Sequence, residues 1–444
     1  MKIRSEILDH WLEVSARFPA GFDLEATARL RGAFTRVREI KNAEALLRLA
    51  LAYGGLGMSL RETCAWAEAG GIASLSDPSL LERLCKAAPW LGDLLAALIA
   101  EQAKTPAGRW AGHRLRALDG TSICQPGADR TTWRLHVGYD LATGQVDQLE
   151  LTDGHGAENL QRLAYQPGDI VLGDRCYARP RDLRPVMDTG ADFIVRAGWN
   201  SLRLLQANGE PFDLFAVLAA QAEQEGEVQV RIHEGATGAA PCEPLILRLV
   251  IRRKNPEQAA AEQKRLLKDA KKRGKQTDPR SLEADNYILL LTSLPPDAFP
   301  PVDILALYRF RWQIELAFKR FKSLAGLDML PAKNPDLARA WIYARLILAI
   351  IAEQIAGQVP ESSPSGLGNT PRTKPIALAS HEDDPSHGLR RHSWTTPVAN
   401  LLQRLHPNPS ASLRASAAAP KTMRLSQRML NLAPMRVGAS SLSD

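Results

Sequence analysis

The chain has 444 residues, 45% of them hydrophobic and 24% charged, which is the balance of a globular protein with roughly two to four domains. Its 56 Lys and Arg exceed its 49 Asp and Glu, giving a net charge of +7, and no apolar run is long enough to cross a membrane. Five scattered cysteines without a CxxC pair predict free thiols and a reducing, cytoplasmic location.

Residues 1–105 are predicted to form an all-helical N-terminal domain. The opening MKIRSEILDHWLEVSARF mixes charged and apolar residues at helical spacing, which indicates an amphipathic helix rather than a signal peptide. Ser59 and Glu62 form a capping box that opens one helix, and further helices are predicted from Ser76 and after Pro89. Short helices joined by glycine-containing turns fit a DNA-binding helix-turn-helix and, equally, a small helical bundle.

Residues 106–200 change to an α/β pattern. Three short strand-like segments, HRLRALDGTSI, TTWRLHVGYD and GQVDQLELTDG, predict an antiparallel meander. A short helix at ENLQRLAY, a strand at DIVLGDRCYA, a helix at PRDLRPVMDTG and a strand at ADFIVRAG follow. The fold class is therefore predicted to be α/β, with a mixed sheet and flanking helices.

The C-terminal half divides into three predicted parts. Residues 201–297 are interpreted as a β-rich insertion with a basic helix, rather than a continuation of the layered sheet. Residues 298–358 return to helices, at Ala306–Ser323 and Pro335–Gln358. Residues 359–444 are rich in Ser, Pro and Gly and are predicted to be an irregular linker and tail, with one further helix at SWTTPVANLLQRL.

The basic charge is concentrated in residues 252–280. This segment has eleven Lys and Arg against four Asp and Glu, a net of +7 that equals the excess of the whole chain. Helix formers predict an exposed basic helix that ends near Gly274, with Lys271, Lys272 and Arg273 at its end. Such a segment is either a solvated surface or an arm that binds DNA phosphates.

Two aspartates follow strand-like segments. Asp119 comes after the apolar alternation of Leu115 and Ala117, and Asp174 follows IVLG. Carboxylates at the ends of neighbouring strands of an α/β sheet lie at the crevice where such folds bind ligands. Two carboxylates that converge need a cation between them, and hard oxygen ligands favour Mg²⁺ or Mn²⁺. Each aspartate alone is also a common turn residue.

A third acidic residue lies in LYRFRWQIELAFKRFKSL. Tyr308, Arg311, Glu315 and Lys322 fall within an arc of roughly 60° on one helical face at about 100° per residue. The opposite side is apolar and is predicted to pack on the sheet through Phe310, Ile314, Ala317 and Phe321. Arg–Glu pairing on a helix surface explains two of the four residues, whereas a glutamate among phosphate-binding cations is typical of metal-dependent phosphoryl transfer.

The spacing Y-x2-R-x3-E-x6-K resembles the signature of bacterial insertion-sequence DDE transposases of the IS-four group. ALDGTS around Asp119 and VLGDRCYA around Asp174 resemble the regions of that family's first two catalytic aspartates. The resemblance extends from about residue 35 to about residue 356. It implies a ribonuclease H-like catalytic domain that is interrupted by the β-rich insertion.

The same resemblance implies the chemistry. Asp119, Asp174 and Glu315 would bind two Mg²⁺ ions, with Mn²⁺ as a substitute, for hydrolysis and strand transfer at DNA phosphodiesters. Tyr308, Arg311 and Lys322 would contact phosphates around the scissile bond. The helical N-terminal region would recognise terminal inverted repeats, and a homodimer would act on paired double-stranded transposon ends and target DNA in the bacterial cytoplasm, without a membrane partner.

Several alternatives remain open at this point. A related nuclease without strand transfer would have the same motifs, and the irregular C-terminus also fits a DNA-binding remnant that no longer catalyses. His155 and Glu158 could lie near the metals or in a helix-capping loop. Arg175 could orient a carboxylate or contact phosphate. Trp199 and Trp312 could stack on an unpaired base, although core packing is the favoured interpretation of both.

Overall fold

The structure is a computed structural model. It describes residues 11–103, 112–200, 203–221, 223–232, 243–323, 326–327 and 330–358. Residues 320–323 and 356–358 are described by their backbone alone. The predicted linker, helix and tail within 359–444 lie outside the described residues.

Four complete α-helices are described in the N-terminal region: α1 (Leu24–Leu30), α2 (Ala43–Ala50), α3 (Leu60–Ala69) and α4 (Asp77–Ala103). The predicted capping box of α3 is confirmed, since the side chains of Ser59 and Glu62 each accept a hydrogen bond from the other's amide. The predicted new helix after Pro89 is wrong, because α4 runs through this proline. Burial of Trp90 and of the leucines along α4 offsets the hydrogen bond that proline cannot donate.

The described strands are β1 (Arg114–Ile123), β2 (Trp133–Asp140), β3 (Gln145–Asp153), β4 (Asp169–Gly173), β5 (Asp192–Arg196), β6 (Leu204–Leu205), β7 (Glu225–Ile232), β8 (Leu245–Arg253) and β9 (Tyr287–Thr292). They form one mixed sheet in the order β3-β2-β1-β4-β5-β9-β8-β7-β6. β1 is antiparallel to β2 and parallel to β4, and β4 is parallel to β5. The predicted meander and the two strands after it are therefore confirmed.

The interpretation that residues 201–297 do not continue the layered sheet is wrong. β9 pairs antiparallel with β5, with Ile194 opposite Thr292, and β8 and β7 extend the sheet beyond it. Consecutive residues of β9, such as Leu290 and Leu291, are both fully buried, so this strand is apolar on both faces. A strand of that kind is stable only inside a covered sheet, which explains why the segment joins the existing one.

The remaining α-helices of the described chain are α5 (Pro180–Asp188), α6 (Leu214–Ala220), α7 (Pro256–Lys272), α8 (Pro279–Ala284), α9 (Pro301–Arg309), α10 (Trp312–Ser323) and α11 (Pro335–Gln358). The predicted helix at PRDLRPVMD, the basic helix and the helix Pro335–Gln358 are thereby confirmed. The predicted helix at ENLQRLAY is reduced to a single 3₁₀ turn, Leu160–Arg162.

The predicted continuous helix Ala306–Ser323 is wrong, because the chain bends between α9 and α10. The amides of Phe310 and Arg311 bond the carbonyls three residues earlier, as in a 3₁₀ turn. Gln313 and Ile314 repeat this spacing on the other side of the bend. The four residues of the Y-x2-R-x3-E-x6-K motif therefore do not share a face of one helix.

Hydrophobic cores cover both faces of the sheet. The N-terminal helices, α11 and one face of β1–β3 share one core, in which Leu91, Val137 and Trp341 are almost fully buried. A second core lies between α5, α6 and the sheet, and a third lies under α9. No helix in the described part of the chain is long and apolar enough to cross a membrane.

A buried ion-pair network lies at the start of β1. Arg116, which is 1% exposed, donates two hydrogen bonds to Asp147 at 2.5 and 2.9 Å and one to the Ala164 carbonyl at 2.8 Å. Arg114 donates two hydrogen bonds, each of 2.8 Å, to Asp169. Because Arg114 and Asp169 are also paired in register, this network fixes the alignment of β1 with β4.

Candidate active site

Asp119 and Asp174 lie at the same level of two adjacent parallel strands. Asp119 is in β1, and Asp174 directly follows β4 and begins the 3₁₀ turn Arg175–Tyr177. Each lies two residues beyond the last registered pair, Ala117 and Leu172, so the parallel register, continued by two residues, brings them side by side. Neighbouring strands are about 4.8 Å apart, and carboxylates there border the crevice at the carboxyl ends of the strands.

The carboxyl of Asp119 is poorly stabilised as an anion. Burial raises its pKa to about 6, and the charges of Glu158 and Asp174 contribute to that increase. The Gly120 amide, which donates to Oδ1 at 2.8 Å, and the charge of Arg311 lower the pKa but do not offset burial. A nearby cation would therefore stabilise the ionised form of this group.

We predict that Asp119→Asn stabilises the metal-free protein at pH 7.5 by roughly 3 kcal/mol, because the pKa of Asp119 is raised from 3.8 to about 6 and each pKa unit corresponds to 1.36 kcal/mol. The unfolded carboxyl ionises near pH 4, whereas the folded one retains its proton to about pH 6. The wild-type protein therefore loses stability as pH rises from about 4 through about 6. The stability gained by Asp119→Asn over wild type should vanish below about pH 4. Denaturant unfolding in EDTA at several pH values measures it. The exposed control Asp188→Asn should show no such gain, and equal stabilities of Asp119→Asn and wild type at pH 7.5 would contradict the prediction.

Arg311 lies between Glu315, with which it forms an ion pair, and the two aspartates, with which its charge interacts. Its Nη2 lies 2.5 Å from Oε1 of Glu315, and its guanidinium carbon lies 5.8 Å from the centre of the Tyr308 ring. Although burial lowers the pKa of Arg311, the phenol of Tyr308 and the carboxylates of Asp174 and Glu315 raise it further. The structure thus brings Tyr308, Arg311, Asp119 and Asp174 together and connects Glu315 to them through Arg311.

The predicted apolar side of α10 is confirmed at two of its four positions; Phe310 lies before α10 and packs against the core under α9, and the side chain of Phe321 lies outside the described residues. Ile314 and Ala317 are buried in the core beneath β1 and β2. The Glu315 side chain is 47% exposed, whereas that of Arg311 is 15% exposed. The side chain of Lys322 lies outside the described residues, so its predicted phosphate contact stays a prediction.

Fewer cations of the basic segment 252–280 are available to bind DNA than its charge count indicates. Lys254, which precedes α7, is buried and forms an ion pair with Glu262 of that helix, so this cation stabilises the fold. Lys271, Lys272 and Arg273 end the helix and are exposed, and Gly274 follows with φ +62. Cations in the last turn also interact favourably with the helix dipole, so their position alone does not assign them to DNA.

The other residues singled out in the sequence have distinct surroundings. Trp199 packs as favoured, since its Nε1 donates to Ser281 at 3.1 Å and its ring lies edge-on to Phe215. Core packing is wrong for Trp312, which is 50% exposed on α10 because it follows the bend. His155 is exposed.

Glu158 is not a cap, because its carboxyl lies against Gly120 of β1, from where its charge raises the pKa of Asp119. The sequence alone could not predict this contact, because it depends on how the loop after β3 folds back onto β1. Arg175 is exposed, and its charge lies near Glu262.

The ligand type at this site suits a divalent cation. Asp119, Asp174 and Glu315 offer carboxylate oxygens, the hard ligands that Mg²⁺ and Mn²⁺ prefer. As the side chains are placed, the described residues contain no group of three His, Cys, Asp or Glu that could hold a metal ion. Glu315 is directed at Arg311 instead, and its part in such a group stays a prediction.

The fold and the site together define an α/β protein with a carboxylate-bordered crevice at adjacent parallel strands. The family model described as Transposase DDE domain matches residues 110–351. The putative transposase InsL for insertion sequence element IS186A of Escherichia coli (strain K12) is 42% identical over 363 residues, covering 81% of this chain and 98% of that protein. The transposase for insertion sequence element IS421 of Escherichia coli is also 42% identical, over 364 residues, with the same coverage of both chains.

The chain therefore belongs to the DDE transposases of insertion sequences, which confirms the resemblance that the motif residues carry. A cryo-EM structure of the piggyBac transposase synaptic complex with hairpin DNA is a more distant likeness. The structural match covers 95% of this chain and 80% of the piggyBac chain, with 10% sequence identity and a TM-score of 0.38.

Proposed function

We propose that this protein binds the inverted-repeat ends of an insertion sequence, cleaves the DNA there and joins the ends to target DNA. The observation that carries the proposal is the parallel register of β1 and β4, which sets Asp119 beside Asp174 and within the field of Arg311. Membership of the DDE transposase family supports the same reaction. The strand order β3-β2-β1-β4-β5 supports a ribonuclease H-like catalytic sheet, to which β9-β8-β7-β6 add the insertion.

Asp119, Asp174 and Glu315 are the proposed ligands of two Mg²⁺ ions, for which Mn²⁺ could substitute. When bound, the ions would supply the positive charge that activates a water or a 3′-hydroxyl and stabilises the leaving oxygen. The chain's own contribution is to hold the carboxylates: β1 and β4 fix the two aspartates, whereas Glu315 projects from the first turn of α10. Because Glu315 is half-exposed, its side chain can exchange Arg311 for a cation without unpacking the core.

Arg311 is proposed to bind a phosphate next to the scissile bond. In the free protein its guanidinium neutralises Glu315, and a DNA phosphate offers the same planar pair of acceptors. The ring of Tyr308, whose hydroxyl is buried, has its centre 5.8 Å from the guanidinium carbon and is proposed to restrict the movement of Arg311. Lys322 is proposed to contact the same backbone. Trp312, exposed on the turn after Arg311, offers an aromatic face for an unpaired base at this edge.

The helical N-terminal region is the proposed site of inverted-repeat recognition. A cavity of about 200 Å³ lies between the loop after α1 and the start of α4, and three guanidinium groups border it, those of Arg36, Arg38 and Arg83. The carboxylate of Glu39 also lines this cavity, which leaves an excess of guanidinium groups that can bind phosphates. We propose the division 1–105, 106–200, 201–297, 298–358 and 359–444, and a homodimer on paired ends, acting on DNA in the bacterial cytoplasm.

Neutralising the end of α7 is predicted to weaken the salt dependence of DNA binding. Each phosphate contact contributes about 0.9 to the slope of log K against log[salt], so replacing Lys271, Lys272 and Arg273 by Gln should reduce it by about 2 to 3. Titration of labelled end DNA at several salt concentrations measures the slope. Arg181→Gln, an exposed cation on α5, is the control. An unchanged slope in the triple variant would assign the segment to solubility alone.

The function is tested by incubating the full chain with DNA that carries the inverted repeats, with Mg²⁺ and, separately, with EDTA. Cleavage at the ends followed by joined products is expected with Mg²⁺ only. Cleavage without joined products would favour the related nuclease. Binding to the repeats without cleavage would favour the DNA-binding remnant, and cleavage that persists in EDTA would contradict the proposed metal dependence.

A further inference from the structure

The basic helix α7 begins at the edge of the sheet that bears the two aspartates. β8 and β5 are each antiparallel to β9, so β8 runs in the direction of β5, β4 and β1 and ends at the same edge. Lys254 follows β8 directly, and its amide donates to the Asn286 carbonyl at 2.8 Å, just before β9. Residues 254–286, the helical arm, therefore leave and rejoin the sheet at the edge where the crevice lies.

Glu262 holds the first half of α7 near the active site. Its Oε2 contacts Nζ of Lys254 and lies 3.6 Å from Nη2 of Arg196, the last residue of β5. Burial raises the pKa of Glu262, but these two cations and the charge of Arg175, which follows Asp174, lower it further. Because the strand order is β4-β5-β9-β8, α7 approaches β4 and its aspartate as it leaves the end of β8.

One side of α7 faces the rest of the protein. Ala259 is buried, Leu266 is half-buried, and Nε2 of Gln263 donates to the Leu282 carbonyl at 2.8 Å. At about 100° per residue, an arc of roughly 100° includes Ala259, Glu262, Gln263 and Leu266. This inner side of the helix lies toward the ends of the strands, since Glu262 contacts Arg196 there.

Four lysines occupy the opposite side of α7. Lys264, Lys268, Lys271 and Lys272 fall within a second arc of roughly 100° whose centre is opposite the first. All four are exposed, and they are here called the lysine stripe. Residues 263–277 contain seven Lys and Arg and one acid, Asp269, which lies outside the stripe. The stripe therefore faces away from the same edge of the sheet at which the crevice opens.

We propose that the lysine stripe binds the backbone of the DNA duplex that is cut, at phosphates within about five base pairs of the scissile bond. Lys272 lies ten residues beyond Glu262, about 15 Å along a helix, and this length spans four to five base pairs at about 3.4 Å each. Ammonium groups suit this partner because they bind phosphates as point charges, whatever the base sequence. The inference rests on the proposed function and adds to it the position of the arm on the DNA.

The contacts are located with end DNA in which one phosphate at a time is replaced by an uncharged methylphosphonate. Binding to the full chain is measured in EDTA by fluorescence anisotropy of the labelled DNA. We expect the affinity of the wild type to fall about threefold at individual positions within about five base pairs of the cut. Lys268→Gln should bind unmodified DNA about threefold more weakly and should no longer respond to the methylphosphonate at its own phosphate.

A double variant measures the stripe as a whole. Lys264→Gln combined with Lys268→Gln should reduce the slope of log K against log[salt] by about 2. Both side chains are exposed, so the fold should survive, and a thermal melt checks this. Arg181→Gln, an exposed cation on α5, is the control and should keep the wild-type response to every methylphosphonate.

The outcomes distinguish the inference from the function on which it rests. If the wild type binds and cleaves end DNA but Lys268→Gln keeps its response to every methylphosphonate near the cut, the inference is overturned and the function stands. A reduced salt slope in the double variant without such coupling also overturns it, because the stripe then binds DNA elsewhere. If the wild type binds end DNA no better than unrelated DNA, the proposed function and the inference both fail.

Discussion

Asp174→Ala is expected to abolish cleavage of inverted-repeat DNA, with a rate loss of about 10³-fold or more. A carboxylate that holds a catalytic metal ion lowers the activation free energy by several kcal/mol. About 4 kcal/mol corresponds to a factor of 10³ in rate. Asp174 follows β4 directly, so its backbone is held by a strand that is buried along its whole length. Rates are measured on labelled end DNA under single-turnover conditions.

Binding of the same DNA should remain within about twofold of wild type, because the proposed recognition surfaces lie in the N-terminal helices and on α7. Asp188→Ala, at the exposed end of α5, is the control and should cleave normally. Asp119→Ala and Glu315→Gln should share the defect. Normal cleavage by Asp174→Ala would remove this residue from the active site, and with it the parallel-register argument.

The parts of the fold that sequence predicts are those that local chemistry determines. The capping box at Ser59 and Glu62, the meander and the end of α7 before Gly274 depend on residues close in the chain, and all are confirmed. The position of Asp119 and Asp174 after strand-like segments also follows from local pattern. That these two strands are parallel neighbours is a long-range property, and the order β1-β4 supplies it.

The errors have long-range causes. No Pro or Gly separates Tyr308 from Glu315, so helical periodicity gives no sign of the bend at Phe310, which arises where α9 and α10 pack into different cores. Pro89 looks like a helix boundary, yet α4 continues because its leucines face a large buried surface. The placement of Glu158 against Gly120 likewise requires the turn after β3 to fold back on β1, which no local pattern predicts.

The register that aligns the two aspartates depends on the buried arginines at the start of β1. Arg116→Met should cost about 3–5 kcal/mol of unfolding free energy, because it leaves the carboxylate of Asp147 buried with its nearest cation, Arg114, at 3.7 Å. Chemical denaturation measures this loss. Lys86→Ala breaks an exposed ion pair with Glu82 and should cost less than about 1 kcal/mol.

A double variant separates the charge from the packing. Adding Asp147→Leu to Arg116→Met removes the buried carboxylate that has lost its two hydrogen bonds from Arg116, so part of the lost stability should return, since apolar side chains of similar volume can replace a buried ion pair. If Arg116→Met also lowers the rate of DNA cleavage and the double variant restores both the rate and the stability, the network acts only by holding β1 and β4 in register. A single Arg116→Met variant that loses less than about 1 kcal/mol would show that the alignment of Asp119 with Asp174 is fixed by the strands alone.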